Sequence, residues 1–235
     1  MYDRMIKLVP DQPSLKIEKE WFTTFMETGD DTKLQAAIGE LRGSASTDRE
    51  IVSMSLTLAL LNRDWSRASQ LVDQLQKNGG EDNGNFGYAA IPVPAGCLSI
   101  MLARLQGQEF GAAALASRDE LNKRVQSSSS AYLLSALAVA DALLDRKEDA
   151  NREAENAVGM LPVAKDPLDG PCVLANSAVV HAWTGAVDQA FTELELLTTI
   201  PRGVCYGQLK RDPLWDPLRK DARFAKLLAQ LAPQD

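Results

Sequence analysis

The chain has 235 residues and a net charge of −7, with 45% apolar residues, enough to bury a sizeable core as one solenoid or one to two ordinary domains. The acidic balance argues against nucleic-acid binding, which needs clustered Lys and Arg to neutralise phosphates. Cys97, Cys172 and Cys205 lie far apart with no C-x-x-C pair. That disfavours a zinc site or a disulfide framework and fits buried thiols in a reducing compartment.

Residues 1–10 carry Asp3, Arg4 and Lys7 and no apolar core region, so they do not read as a signal peptide. The longest apolar tract, 132–144, is broken by Ser135 and Asp141 and is too short to span a bilayer. The expected location is cytoplasmic, with no membrane contact.

The opening, YDRMIKLVPDQP, is amphipathic and stops at Pro10. Residues 1–13 read as a lead-in, the second helix of a pair whose first helix is missing. Met1 is therefore expected to begin a fragment, or a second copy to fill the gap in a homo-oligomer.

Five helical pairs follow over 14–200. The first spans 15–28 and 31–42 around Gly29-Asp30, with Trp21, Phe22, Phe25 and Met26 forming an apolar stripe. Gly43-Ser44-Ala45-Ser46 reads as a linker and Asp48 as the cap of the second pair, 48–63 and 65–77. An insertion, NGGEDNGNFGYAAIPVP, occupies 78–94. Its Glu81-Asp82-Asn83-Gly84-Asn85 lacks the alternating ligands of a calcium loop and reads as plain loop. The third pair runs over 95–106 and 109–125, with Ala113 as its small residue.

The fourth pair, 131–162, is the fullest: two helical patterns meet at Asp145-Arg146-Lys147, small residues sit at Ala138, Ala150, Ala154 and Ala157, and Pro162 ends it. Glu148, Arg152, Glu153 and Glu155 form its solvated face. The fifth covers 171–184 and 187–199 and turns at Gly185. A small residue followed at +4 and +7 by apolar ones recurs at Ala68, Ala150 and Ala190. These positions share one helix face, and the first is small where the paired helix crosses. Residues 201–235 change pattern: DPLWDPLRKDARF offers caps at Asp212, Asp216 and Asp221, and the tail is expected to cover the open face of the last pair.

The unit at 131–162 resembles a tetratricopeptide repeat. The whole chain, through YDRMIKLVPDQP, DALLDRKEDANREAENAVGMLPVAKDPLDGP, AVVHAWTGAVDQAF and DPLWDPLRKDARF, resembles the C-terminal repeat region of bacterial multidomain signalling proteins. There such regions lie behind a protein kinase, an adenylate cyclase or a winged-helix domain, often with a TolB-like segment between. The resemblance implies an all-α, right-handed superhelical stack of antiparallel hairpins, a TPR-like α-solenoid. First helices of its pairs line a concave groove, here Tyr132, Ser135 and Val139, then Asn176, Val179 and Trp183. These faces are nearly free of positive charge, so an acidic C-terminal peptide does not fit; the groove is mildly apolar and suits a protein or peptide segment.

No phosphate-binding, dinucleotide, zinc-protease or kinase signature occurs, and no cofactor is expected. The lone His181 reads as a packed core histidine. The expected function is non-catalytic: an interaction or regulatory module, or alternatively a spacer, oligomerisation region or tail of a larger signalling kinase or cyclase.

Overall fold

The computed structural model describes residues 1–9, 14–41, 49–77, 81–82, 86–88 and 91–233. It begins with α1 (Tyr2–Leu8), then a run that changes its winding: α2 (Ser14–Glu20), a π-helical turn over Trp21–Phe25, and α3 (Met26–Thr28). The sequence predicts one regular helix there. The wider turn stacks the Trp21 and Phe25 rings, centroids 4.7 Å apart, and buries Phe25.

The remaining helices are α4 (Thr32–Leu41), α5 (Arg49–Leu61), α6 (Trp65–Lys77), α7 (Gly96–Gln106), α8 (Ala112–Ser127), α9 (Ala131–Leu143), α10 (Lys147–Met160), α11 (Gly170–Thr184) and α12 (Val187–Leu197). From α4 to α12 each helix packs on the next in chain order. Among the described residues the fold is all-helical apart from a two-residue antiparallel ladder, β1 (Glu81–Asp82) with β2 (Val93–Pro94), inside the insertion read as plain loop. Two residues per strand leave no alternation for a sequence to display. The expected linker at 43–46, the cap Asp48 and Asn83-Gly84-Asn85 lie outside the described residues. Among those described, no helix is long and apolar enough to cross a membrane.

The turn of every expected pair contains a residue in the left-handed region: Gly29, Arg63, Gly107, Asp145 and Gly185, with φ of 70°, 57°, 65°, 64° and 93°. One such residue lets the last amide of a helix turn back onto its own carbonyls and aims the chain at the preceding helix. Glycine adopts it freely; Arg63 and Asp145 do so against roughly 1–2 kcal/mol.

Small residues then set how close the helices come. Ala68, Val72 and Leu75, Ala150, Ala154 and Ala157, and Ala190, Leu194 and Leu197 are all buried, as their spacing predicts. The third pair departs from expectation: Ala113 is exposed and Ala114 is buried. There α8 starts only at Ala112, and the closest approach to α7 comes at Gly96, where any Cβ would run into the Ser117 side chain.

Helices α9 and α11 are buried almost all round, the pattern of central core helices rather than surface ones. Within that core Arg118 of α8 donates through Nε to Asp141 Oδ1 of α9 at 2.7 Å and through a second nitrogen to Oδ2. Asp141 is fully buried. Glu153 of α10, expected on a solvated face, is half-buried beside this pair, with Oε2 buried and lacking a hydrogen-bond partner. Burial, then the Asp141 charge, push its carboxyl up to about 8 against the partial relief of Arg118. A helical wheel assigns faces from one helix alone, and α8 brings Arg118 to this one.

After α12 come α13 (Tyr206–Arg211), a 3-10 turn (Pro213–Leu218) and α14 (Ala222–Leu231). Asp212 and Asp221 cap as expected, accepting from the amides of Leu214 and Arg223 at 2.9 Å. Asp216 instead binds arginines. α14 packs on α12, where a cover was predicted, but the tail reaches further: α13 packs on α3 and the 3-10 turn on α11.

Candidate functional site: an inner face occupied by the chain itself

Helices α9 and α11 pack side by side and bring the expected groove residues together. Ser135, Val139, Asn176 and Val179 are all buried, at 1%, 0%, 0% and 0% exposure, whereas Tyr132 and Trp183 are half-buried. Tyr132 stands apart from the rest, packed on Ala131, Ala157 and Val173 at the α10 side. Burial and then a hydrogen bond with Asp169 raise its phenol above the ordinary value.

A polar chain runs across the buried face. Ser135 Oγ donates to the Tyr132 carbonyl at 2.9 Å and accepts from Asn176 Nδ2 at 3.0 Å. Asn176 Oδ1 then accepts the backbone N–H of Tyr88 at 2.6 Å. Tyr88 belongs to the insertion, so a buried side-chain amide of α11 holds a piece of main chain. Such a contact reads backbone rather than side chain, which is how a groove holds polypeptide without regard to its sequence. The fit requires Gly87, with φ of 73°: a Cβ there would collide with Asn176 Oδ1.

The phenol of Tyr88 continues the chain into the tail. It donates to Asp212 Oδ2 at 3.0 Å and accepts from Trp215 Nε1 at 2.7 Å, and its ring lies against the indole, centroids 5.6 Å apart. Burial, followed by the Asp212 charge, moves the phenol well above its usual range; burial likewise raises Asp212. Trp183 Nε1 donates to the Leu214 carbonyl at 2.9 Å, with the Arg104 guanidinium 5.4 Å from its ring centre. The tail therefore lies across α11, with Leu209, Trp215 and Leu218 each at 0% exposure.

Its far side is tied to the N-terminal half by charge. Arg63, at the left-handed turn after α5, meets both Asp216 oxygens at 2.7 Å, and Arg219 Nε shares Oδ1 at 2.7 Å. Burial pulls the Asp216 carboxyl upward, but the two arginines outweigh it and hold it below its ordinary value. Arg211 donates to the Gly29 carbonyl, Asp31 and Asn62 at 3.0, 3.3 and 2.6 Å. A cavity of about 160 Å³ remains between Trp21, Leu61, Tyr88, Met101, Asp212 and Leu214.

His181 is buried, as expected of a core histidine, at 3% exposure. Its Nδ1 lies 2.8 Å from Glu193 Oε2, and Ser177 Oγ donates to Glu193 Oε1 at 2.6 Å. Glu193 thus stands between serine and histidine, an order that gives the hydroxyl no imidazole base. Among the described residues no three His, Cys, Asp or Glu side chains are placed to hold a metal ion.

Tyr88, Asp212, Arg63 and Arg211 were not picked out as site residues by the sequence. The available signal was compositional: Phe86 and Tyr88 are aromatic residues in a Gly- and Asn-rich insertion, and Trp215 sits between two Asp-Pro steps. Neither pattern says what the aromatic side chains touch. Comparison with family models, curated proteins and solved structures finds no match to this chain.

Proposed function

We propose that the chain is a non-catalytic protein-interaction module, a TPR-like right-handed stack of helical hairpins acting in the cytoplasm. Its inner face, centred on Ser135, Asn176 and Trp183, takes a polypeptide segment and no nucleic acid or cofactor. The single observation that supports this reading is the Asn176 amide accepting the Tyr88 backbone N–H, because a surface that already holds main chain in cis has the chemistry to hold it in trans. On the resemblance to repeat regions of bacterial signalling proteins, the alternative role is a spacer or oligomerisation region, or the non-catalytic tail of a larger signalling kinase or cyclase.

Selection of a displayed peptide library on the full chain tests it. Selected peptides should lose at least tenfold in affinity on Asn176→Ala or Trp183→Ala, about 1.4 kcal/mol or more. Peptides bound equally by the parent and both variants would place recognition elsewhere and end this reading.

A second reading, self-association through the N-terminal half-repeat, is supported by an apolar surface on α1 and the π-helical turn. Leu8, Phe22 and Val9 are 71%, 49% and 44% exposed. Light scattering over a hundredfold concentration range checks it: mass should rise with concentration for the parent chain and stay at one copy for a Leu8→Ser/Phe22→Ser variant.

A further inference from the structure

Residues 206–218 have the placement of a ligand as much as of a structural cap. They cross the inner face, bury Leu209, Trp215 and Leu218, and are tied to the far half of the molecule by the Arg63–Asp216 and Arg211 contacts. The charge pattern has the same sense. Residues 201–235 contain seven Lys and Arg (202, 210, 211, 219, 220, 223, 226) against four Asp (212, 216, 221, 235), a net of +3 on a chain whose total is −7, so the remainder carries −10.

We propose that this strap is an intramolecular stand-in for the partner. The inner face would take a polypeptide turn of the same chemistry, an acidic residue followed by an apolar residue and a tryptophan, once the strap is displaced. The inference rests on the peptide-binding reading above and adds to it both the kind of partner and the means of control.

The hydrogen bonds determine which segments can replace the strap. When it leaves, the indole N–H of Trp183 loses the Leu214 carbonyl, and the Tyr88 phenol loses both the Asp212 carboxylate and the Trp215 N–H. A purely apolar helix laid in the same place would bury those groups unpaired, which disfavours it strongly. A segment with a main-chain carbonyl, a carboxylate and an indole in the strap's arrangement restores each contact.

The tie to the N-terminal half sets how readily the strap leaves; beside the packing of α13 on α3 it includes the half-exposed Arg63–Asp216 pair, the weaker kind of contact. Opening of this part need not unfold α9 and α11, since local opening draws on the least stable contacts first.

The test keeps the full chain. Asp216→Asn removes the strap's side of the ion pair and leaves Arg63 available to the probe, and Arg211→Ala removes the second tie. The probe is a fluorescent synthetic peptide, YGQLKRDPLWDPLRK, with a tryptophan-to-alanine version as control. The Asp216→Asn/Arg211→Ala chain should bind the probe at least tenfold tighter than the parent and ignore the control. Hydrogen exchange in 206–218 should rise at least tenfold while α9 and α11 stay protected.

Equal affinity for both chains, no binding to either, or faster exchange spread through α9 and α11 each overturns the proposal. The library experiment keeps this separate from the broader reading: peptides that depend on Asn176 yet bind parent and strap variant equally would leave the groove standing and remove the strap as its regulator.

Discussion

Trp215→Ala should be the most damaging single truncation in the tail, costing about 3–5 kcal/mol of unfolding free energy in urea or guanidinium titrations. The indole is fully buried, so its removal opens a void beside the Tyr88 ring that lies against it. The loss has a polar part as well. Without Nε1 the Tyr88 phenol keeps only its bond to Asp212, whose carboxyl burial has already raised. Trp215→Phe separates the two parts: it fills most of the volume and lacks the donor, and should cost about 1–2 kcal/mol. Phenylalanine and alanine giving the same loss would show that packing contributes little.

Asp141→Asn should cost about 3–5 kcal/mol, because buried Arg118 keeps its charge and loses the carboxylate that met two of its nitrogens, with the exposed Asp119 3.6 Å away a weaker substitute. Glu153 limits the damage. In the parent protein burial and Asp141 together hold its carboxyl near 8. Once Asp141 is neutral, Arg118 favours the Glu153 carboxylate, which takes over part of the pairing. The Asp141→Asn/Glu153→Gln double variant should therefore lose more than the sum of the single changes, by roughly 0.5–3 kcal/mol in a double-mutant cycle.

The same residue predicts a pH dependence. In the unfolded chain Glu153 releases its proton near its ordinary 4.5, whereas the folded protein keeps it to about 8. Folding takes up a proton between those values. The contribution is complete below pH 4.5 and is lost as pH climbs to 8, so stability falls over that window. Glu153→Gln should remove this slope and be about 1–2 kcal/mol more stable than the parent at pH 8, after allowance for its partial exposure. Denaturant midpoints at pH 5, 6.5 and 8 check it.

The sequence made the helices legible because their apolar residues recur at the helical period and their turns carry residues suited to positive φ. It also placed Ser135, Asn176 and Trp183 on neighbouring faces, through the resemblance to a repeat family rather than through any property of the residues themselves. What covers them was not legible. The contact between Tyr88 and Asn176 joins residues 88 positions apart, and that between Arg63 and Asp216 joins residues 153 apart. Neither repeats, and a period reports only what recurs. Glu153 was misjudged for a related cause. Its own helix does place it on the outer side, and Arg118, from a different helix, makes that side an interior.

Residue 87 decides whether the contact between Tyr88 and Asn176 can form. The Tyr88 amide reaches Asn176 beside a residue that lacks a side chain: a Cβ at 87 would run into Asn176 Oδ1, at a positive φ that disfavours side chains, so Gly87→Ala should break this contact. A hydrogen bond made by residue 88 thus depends on what residue 87 lacks, and a single methyl group is enough to set the two at odds.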